Sequence, residues 1–203
     1  MQLVLDWDGT VTETDGLHLV LLEFGDETLY DAAENRLGRD LTLHEVIALE
    51  FTSVRAPLEE VVDWMRDNVR IRPGFAELAD AHRPLIVSSG FHELIEPILD
   101  HQGVDVELHA NRVDPRPDGW RVDWRYDDSC DACGESCKRS TVDRLVDGDE
   151  VVYVGDGYSD RCAAEHADRV FARRGLARWL DQRGIPYEHF EDFHEVARSL
   201  EAA

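Results

Sequence analysis

Lysine is almost missing from this chain. Of its 21 basic residues only Lys138 is a lysine, and 44 acidic residues bring the net charge to −23. So little positive charge excludes a nucleic-acid partner, because the electrostatic term of such binding would be repulsive. A surface of this kind repels itself in dilute buffer and is relieved by screening, so we expect a protein of a salt-rich cytoplasm. Long apolar runs are also missing, so no membrane span is expected. The first residues, Met1 to Asp8, lack a charged n-region and an apolar h-region, and no secretory signal is expected. Cysteines number four in 203 residues, which does not resemble a secreted disulfide framework. These absences together place the expected location in the cytoplasm. Repeats and low-complexity tracts are missing as well.

What is present suits a folded domain: 43% of residues are hydrophobic. Gln2-Leu3-Val4-Leu5-Asp6 reads as a short buried strand that ends in polar residues. Pro84–Ser88, Glu150–Val154 and Arg169–Phe171 read the same way. Helical patterns follow over Phe91–Gln102, Lys138–Val146 and Ser159–His166. Strands alternating with helices predict an α/β fold with a Rossmann-like parallel sheet, whose ligands bind beyond the carboxyl ends of the strands. Residues 14–71 break the alternation with helices alone, so a small helical insertion after the first strand is expected. Thr42 suits an N-cap and Pro57 a first turn within it. Residues 1–13 and 72–203 then form the core, with Arg72-Pro73-Gly74 at the return. A turn-rich stretch, Pro115 to Gly119, predicts a hairpin between Val113 and Val122–Trp124.

Three strand ends are loaded with polar groups: Asp6-Trp7-Asp8-Gly9-Thr10, Ser88-Ser89-Gly90, and Gly155-Asp156-Gly157-Tyr158-Ser159-Asp160. Carboxylates crowded at one sheet edge repel each other unless a hard cation such as Mg²⁺ holds them, and that ion also bridges to phosphate. Glycines let backbone N–H groups approach an anion, and a serine hydroxyl near a helix start adds a phosphate contact. Lys138, at the start of a helix, supplies the cation such a site needs. In a chain that otherwise uses arginine, one remaining lysine suggests a point charge that a planar guanidinium cannot replace.

These residues resemble the haloacid dehalogenase superfamily of phosphohydrolases. The family's DxDGT motif matches Asp6 to Thr10, its strand-end Ser or Thr matches Ser88, its Lys matches Lys138, and its GDGxxD motif matches Gly155 to Asp160. All four stand in the family's order, and the insertion at 14–71 is similar to the helical cap of the phosphoserine-phosphatase-like branch. The resemblance implies a Mg²⁺-dependent phosphatase acting on a small-molecule phosphate. It implies that Asp6 attacks phosphorus and becomes an aspartyl phosphate, while Asp8 protonates the leaving oxygen and then activates water. Ser88, Ser89, Gly90 and Lys138 would bind the phosphoryl oxygens. Asp6, Asp8 through its carbonyl, Asp156 and Asp160 would serve the metal. A phosphotransferase or mutase, a non-catalytic metal-binding module and a dehalogenase are alternatives, the last disfavoured by Asp8 and the metal carboxylates.

Within the branch, Ile71–Phe75, His109-Ala110-Asn111, Trp124, the cysteine-rich stretch and Ile185-Pro186-Tyr187 resemble the methionine-salvage sugar-phosphate phosphatases. Phosphoserine phosphatases are the alternative. They carry a cap Glu after the first motif, where this chain has Asp15, and a cap Arg for the substrate carboxylate, where it has Leu49-Glu50 with only Arg55 nearby. Asp15, His18 and Phe51 are candidate cap contacts. Cys130-x2-Cys133-x3-Cys137 precedes Lys138 directly. With a fourth ligand such as His109 or Asp131 it could bind zinc, or its thiols could simply be reduced loop cysteines. Cys162 reads as a small core residue. Mg²⁺ is the only cofactor expected.

Overall fold

The computed structural model describes residues 1–126 and 129–202. Seven strands form one sheet: β1 (Gln2–Leu5), β2 (Leu85–Phe91), β3 (Glu107–Asp114), β4 (Arg121–Asp123), β5 (Val151–Gly155), β6 (Arg169–Ala172) and β7 (Glu188–His189). Their order is β4-β3-β2-β1-β5-β6-β7, parallel throughout except for the antiparallel β3–β4 pair. The chain therefore builds outward from β1 in one direction, then returns to its other side with β5. That reversal beside β1 is where an open α/β sheet leaves a crevice at its carboxyl edge.

The apolar strand runs are explained by burial on both faces. Leu3, Leu5, Ile86, Val152, Val154 and Phe171 point into one core, and Val4, Leu85, Val87, Tyr153, Val170 and Ala172 into the other. The second core is closed by helices α7 (Lys138–Leu145), α8 (Arg161–His166) and α9 (Arg174–Arg183). The first is closed by α5 (Phe75–His82), α6 (His92–Gln102) and α10 (Phe193–Glu201).

Between β1 and β2 lie α1 (Gly16–Phe24), α2 (Glu27–Glu34), α3 (Leu43–Phe51) and α4 (Leu58–Asn68), ahead of α5. Sequence chemistry sets their starts. Asp15 and Asp26 accept backbone N–H groups at the N-caps of α1 and α2. Thr42 and Glu45 form a reciprocal capping box at α3. Pro57 sits immediately before α4, one position earlier than a first-turn proline. The insertion closes on itself where Thr12 bridges Ile71 and the Glu13 N–H donates to the Arg70 carbonyl.

The insertion shares the first core. Phe51 meets Phe91 edge to face at 4.8 Å. The β3–β4 hairpin reaches up to it, with the Trp120 N–H donating to the Phe51 and Val54 carbonyls and its indole Nε1 to the Ala56 carbonyl at 3.0 Å. Val113 pairs with Val122 across that hairpin, as the turn residues predict. The expected helix Ser159–His166 is divided into a 3₁₀ turn at Tyr158–Asp160 and α8. The cause is Asp160, whose carboxylate turns back to accept from the Asp156 and Gly157 N–H groups. Among the described residues no helix is long and apolar enough to cross a membrane.

Candidate active site

The carboxyl ends of β1, β2 and β5, with the start of α7, bring most of the expected site residues together. Asp6 directly follows β1 and is 3% exposed. One of its oxygens accepts from the Trp7 N–H at 2.6 Å and from the Lys138 ammonium, and the other from the Thr10 hydroxyl at 3.3 Å. Lys138, 1% exposed, also donates to Asp160 Oδ1 at 2.7 Å. Tyr153 donates to the same Asp160 oxygen at 2.8 Å, so both carboxylate oxygens of Asp160 are engaged by protein donors.

The electrostatics follow from this burial. Desolvation and then the Asp160 charge push Asp6 well above the ordinary carboxylate range, with Lys138 opposing them. Burial alone would lower Lys138, but Asp160 and Asp6 outweigh it and hold the ammonium above its usual value. Burial and Asp160 raise Asp156 to about 7. Asp8 is raised to about 8, by burial first and then by Asp15.

Asp8 is held between two chain segments. Its Oδ1 accepts from the Gly16 N–H at 2.9 Å, and its Oδ2 lies 3.5 Å from the Ser88 hydroxyl. Ser88 is fully buried, and its Oγ accepts from the Gly90 N–H at 2.8 Å. A Cβ on Gly90 would sit 3.0 Å from Asp8 Oδ2, which is tight. Gly9 is more constrained: its φ is +74°, and a Cβ would lie 2.3 Å from Asp156 Oδ2. Glycine there lets the turn after β1 lie against the Asp156 carboxylate. Oxygens of Asp6, Asp156 and Asp160 all fall within 4.8 Å of one another. This hard-oxygen set fits a small divalent cation.

Several supporting residues lie outside the four catalytic motifs. Arg72 is buried and donates to the carbonyls of Gly9, Thr10 and Thr12, which fixes the turn after Asp6. Asn111 donates to the Ser89 carbonyl at 2.9 Å, and Arg125 to the Ser88 carbonyl at 2.6 Å. The sequence marks Arg72 as the return point to the core and places Arg72 and Asn111 in stretches of family resemblance, but nothing in it pairs these side chains with distant carbonyls.

Above the carboxylates lies a cavity of about 260 Å³. Asp6, Asp8, Ser89, Lys138 and Asp156 form one side of it. The insertion lines the other with Asp15, Glu34 and Glu50 and with the apolar Leu17, Leu21, Leu37, Leu43 and Ile47. Burial, then Glu34 and Asp15, raise Glu50 to about 8. Among the described lining residues Lys138 is the only lysine or arginine.

Four expectations need correction. Phe51 does not line this cavity: it is fully buried between Phe91 and Trp120. Arg55 is exposed and does not line it either. His109 is no partner for the cysteines, since its Nε2 pairs with Glu107 at 2.7 Å and Asp131 is exposed outside their cluster. Cys162 is not core filler: it stands partly exposed, its Sγ 3.9 Å from that of Cys130. Asp15 and His18 do line the cavity, with His18 packed on Tyr30 at 4.8 Å.

The sequence pattern of the haloacid dehalogenase-like hydrolases matches residues 3–165. The chain belongs to this family. A 2-hydroxy-3-keto-5-methylthiopentenyl-1-phosphate phosphatase of Exiguobacterium sibiricum is 29% identical, over 99% of this chain and 96% of the relative. A phosphatase of the same name from Bacillus cereus is 26% identical, over 98% and 95%. A solved structure described as a phospho-aspartyl intermediate analogue of phosphoserine phosphatase superposes with a TM-score of 0.73. It covers 98% of this chain and 97% of its own at 17% identity, a likeness of fold. As a member of the haloacid dehalogenase-like hydrolases with phosphatases as full-length relatives, this chain is an enzyme, a phosphatase.

Proposed function

We propose that this phosphatase hydrolyses a small phosphate monoester that bears no carboxylate, through an aspartyl phosphate on Asp6. The methylthio sugar phosphate named for its relatives is the best-matched substrate. The observation that carries this reading is the cavity wall. Asp15, Glu34 and Glu50 face the space where a substrate's distal group would lie. A carboxylate there would find no arginine to receive it, and would add negative charge to a wall whose acids already raise one another, Glu50 to about 8. Neutral hydroxyl or keto oxygens can instead share hydrogen bonds with these acids. A thioether suits the leucines and Ile47 on the same wall.

The roles follow from position. Asp6, at the end of β1, is the nucleophile, held by Trp7, Thr10 and Lys138. Asp8, raised to about 8, carries a proton at neutral pH and gives it to the leaving oxygen. It is then the base for the water that cleaves the acyl phosphate. Lys138 neutralises phosphoryl oxygens, with Ser88 and Ser89 as hydroxyl donors. The part of Gly90 is to leave room beside Asp8. Mg²⁺ would be held by the Asp6 and Asp156 carboxylates and the Asp8 carbonyl. It would balance the crowded negative charge and polarise a phosphoryl oxygen. Asp160 acts on that site by fixing the Asp156–Gly157 backbone. The helices of 14–71 serve as the cap that selects substrate and excludes water.

The fold neighbours make phosphoserine the competing substrate. Comparing kcat/KM for phosphoserine and for 2-hydroxy-3-keto-5-methylthiopentenyl-1-phosphate separates the two. We expect a preference of at least about a hundredfold for the latter, since leaving a buried carboxylate unpaired costs about 3 kcal/mol or more. A preference for phosphoserine would overturn the reading.

A further inference from the structure

We propose that Cys130, Cys133, Cys137 and Cys162 bind one zinc ion, which ties the loop before Lys138 to the helix after Asp160. The four Sγ atoms all lie within 4.8 Å of one another, and those of Cys130 and Cys162 are 3.9 Å apart. A tetrahedral zinc with bonds of about 2.3 Å requires sulfur–sulfur separations of about 3.8 Å. The cluster therefore needs only a small contraction to close on the ion. All four cysteines are free thiols. Three come from one loop and the fourth from the first turn of α8, so the site joins segments that the sequence separates by more than a strand.

The surroundings fit thiolate ligands. The Ala132 N–H donates to Cys130 Sγ at 3.4 Å, and Cys137 is the N-cap of α7, where the helix dipole favours negative charge. Within the loop, the Cys130 N–H donates to the Glu135 carbonyl and the Gly134 N–H to the Cys130 carbonyl, which folds Cys130 and Cys133 toward one point. An all-sulfur set selects a soft cation and rejects Mg²⁺, so this site and the carboxylate site differ in the ion they take.

The location gives the ion a task. Cys137 directly precedes Lys138, and Cys162 follows Asp160 by two residues. Lys138 and Asp160 make the buried ion pair beside Asp6. A zinc closing this cluster clamps the two backbone segments from which that pair extends. The ion takes no part in the reaction and sits in a closed site of structural type.

The test is elemental analysis of the full chain purified without chelator, beside Cys133→Ser and Cys162→Ser. We expect about one zinc per chain in the parent and a strong loss in both variants. Should a variant fail to fold, titration of the native parent with a mercurial, read by a chromogenic zinc indicator, decides. Zinc should be released in step with modification of four thiols. Zinc far below stoichiometric with all four thiols freely reactive would overturn the proposal. So would iron in place of zinc, a disulfide among the four, or full zinc retention by both variants.

Discussion

At the scale of single residues, the site is a balance of buried charges. Lys138 sits between Asp6 and Asp160 with almost no exposure on any of the three. Removing one partner of such a group leaves uncompensated charge in a low dielectric. Lys138→Met is therefore expected to cost about 3–5 kcal/mol of stability in urea unfolding without added Mg²⁺; a loss within error of zero would mean the pair contributes nothing. Glu50 behaves differently because no cation faces it. Its Oε1 has no protein partner, and its folded value is raised from 4.5 to about 8. The folded state then binds more protons than the unfolded one between these values, so its contribution lowers stability as pH climbs from about 4.5 to about 8 and is level above. Glu50→Gln is expected to raise Tm by a few degrees above pH 8 and leave it nearly unchanged near pH 4.5; a uniform shift at both pH values would contradict this. The contiguous motifs made Asp6, Asp8, Ser88, Lys138, Asp156 and Asp160 legible in the sequence. Arg72 and Arg125 were not, because their partners are carbonyls 63 and 37 residues away along the chain. Cys162 was not legible either, since no spacing links a cysteine on a later helix to the loop before Lys138.

At the scale of elements, the sheet places its reactive groups at strand ends, and the hairpin holds the insertion in place. Strands with apolar runs, such as β1 and β5, were readable from composition. The strands β3 and β7, away from the centre of the sheet, were harder. β3, second from the edge, carries His109, Asn111 and Arg112, so it reads as loop beyond its hairpin end. β7 has only two residues. Trp120 is fully buried and joins β3–β4 to α3 and the turn before α4 through three hydrogen bonds. Truncating it removes both the packing and the donors. Trp120→Ala is expected to destabilise by about 3–5 kcal/mol and to raise KM more than it lowers kcat, because the cavity wall would lose its support. Unchanged thermal unfolding and kinetics would mean the hairpin does not hold the insertion.

At the scale of the whole molecule, charge and site oppose each other. A chain of net charge −23 gathers its single lysine and several carboxylates where the proposed function has a dianionic phosphate bind. Self-repulsion among exposed acids falls as salt screens them. Tm is thus expected to rise between dilute and molar KCl, and a flat or falling Tm would mean the surface charge is already balanced. The ordered motifs made the family legible across most of the chain. The cavity's chemistry was not, because Glu34, Glu50 and the leucines come from separate helices whose packing alone brings them together. The central claim is that Asp6 attacks phosphorus in a Mg²⁺-assisted site. Its most direct test is phosphate release by the parent and Asp6→Asn, each with and without Mg²⁺ in molar KCl. The account predicts release that requires Mg²⁺ in the parent and falls at least about a thousandfold in the folded variant. Comparable release by Asp6→Asn would contradict it.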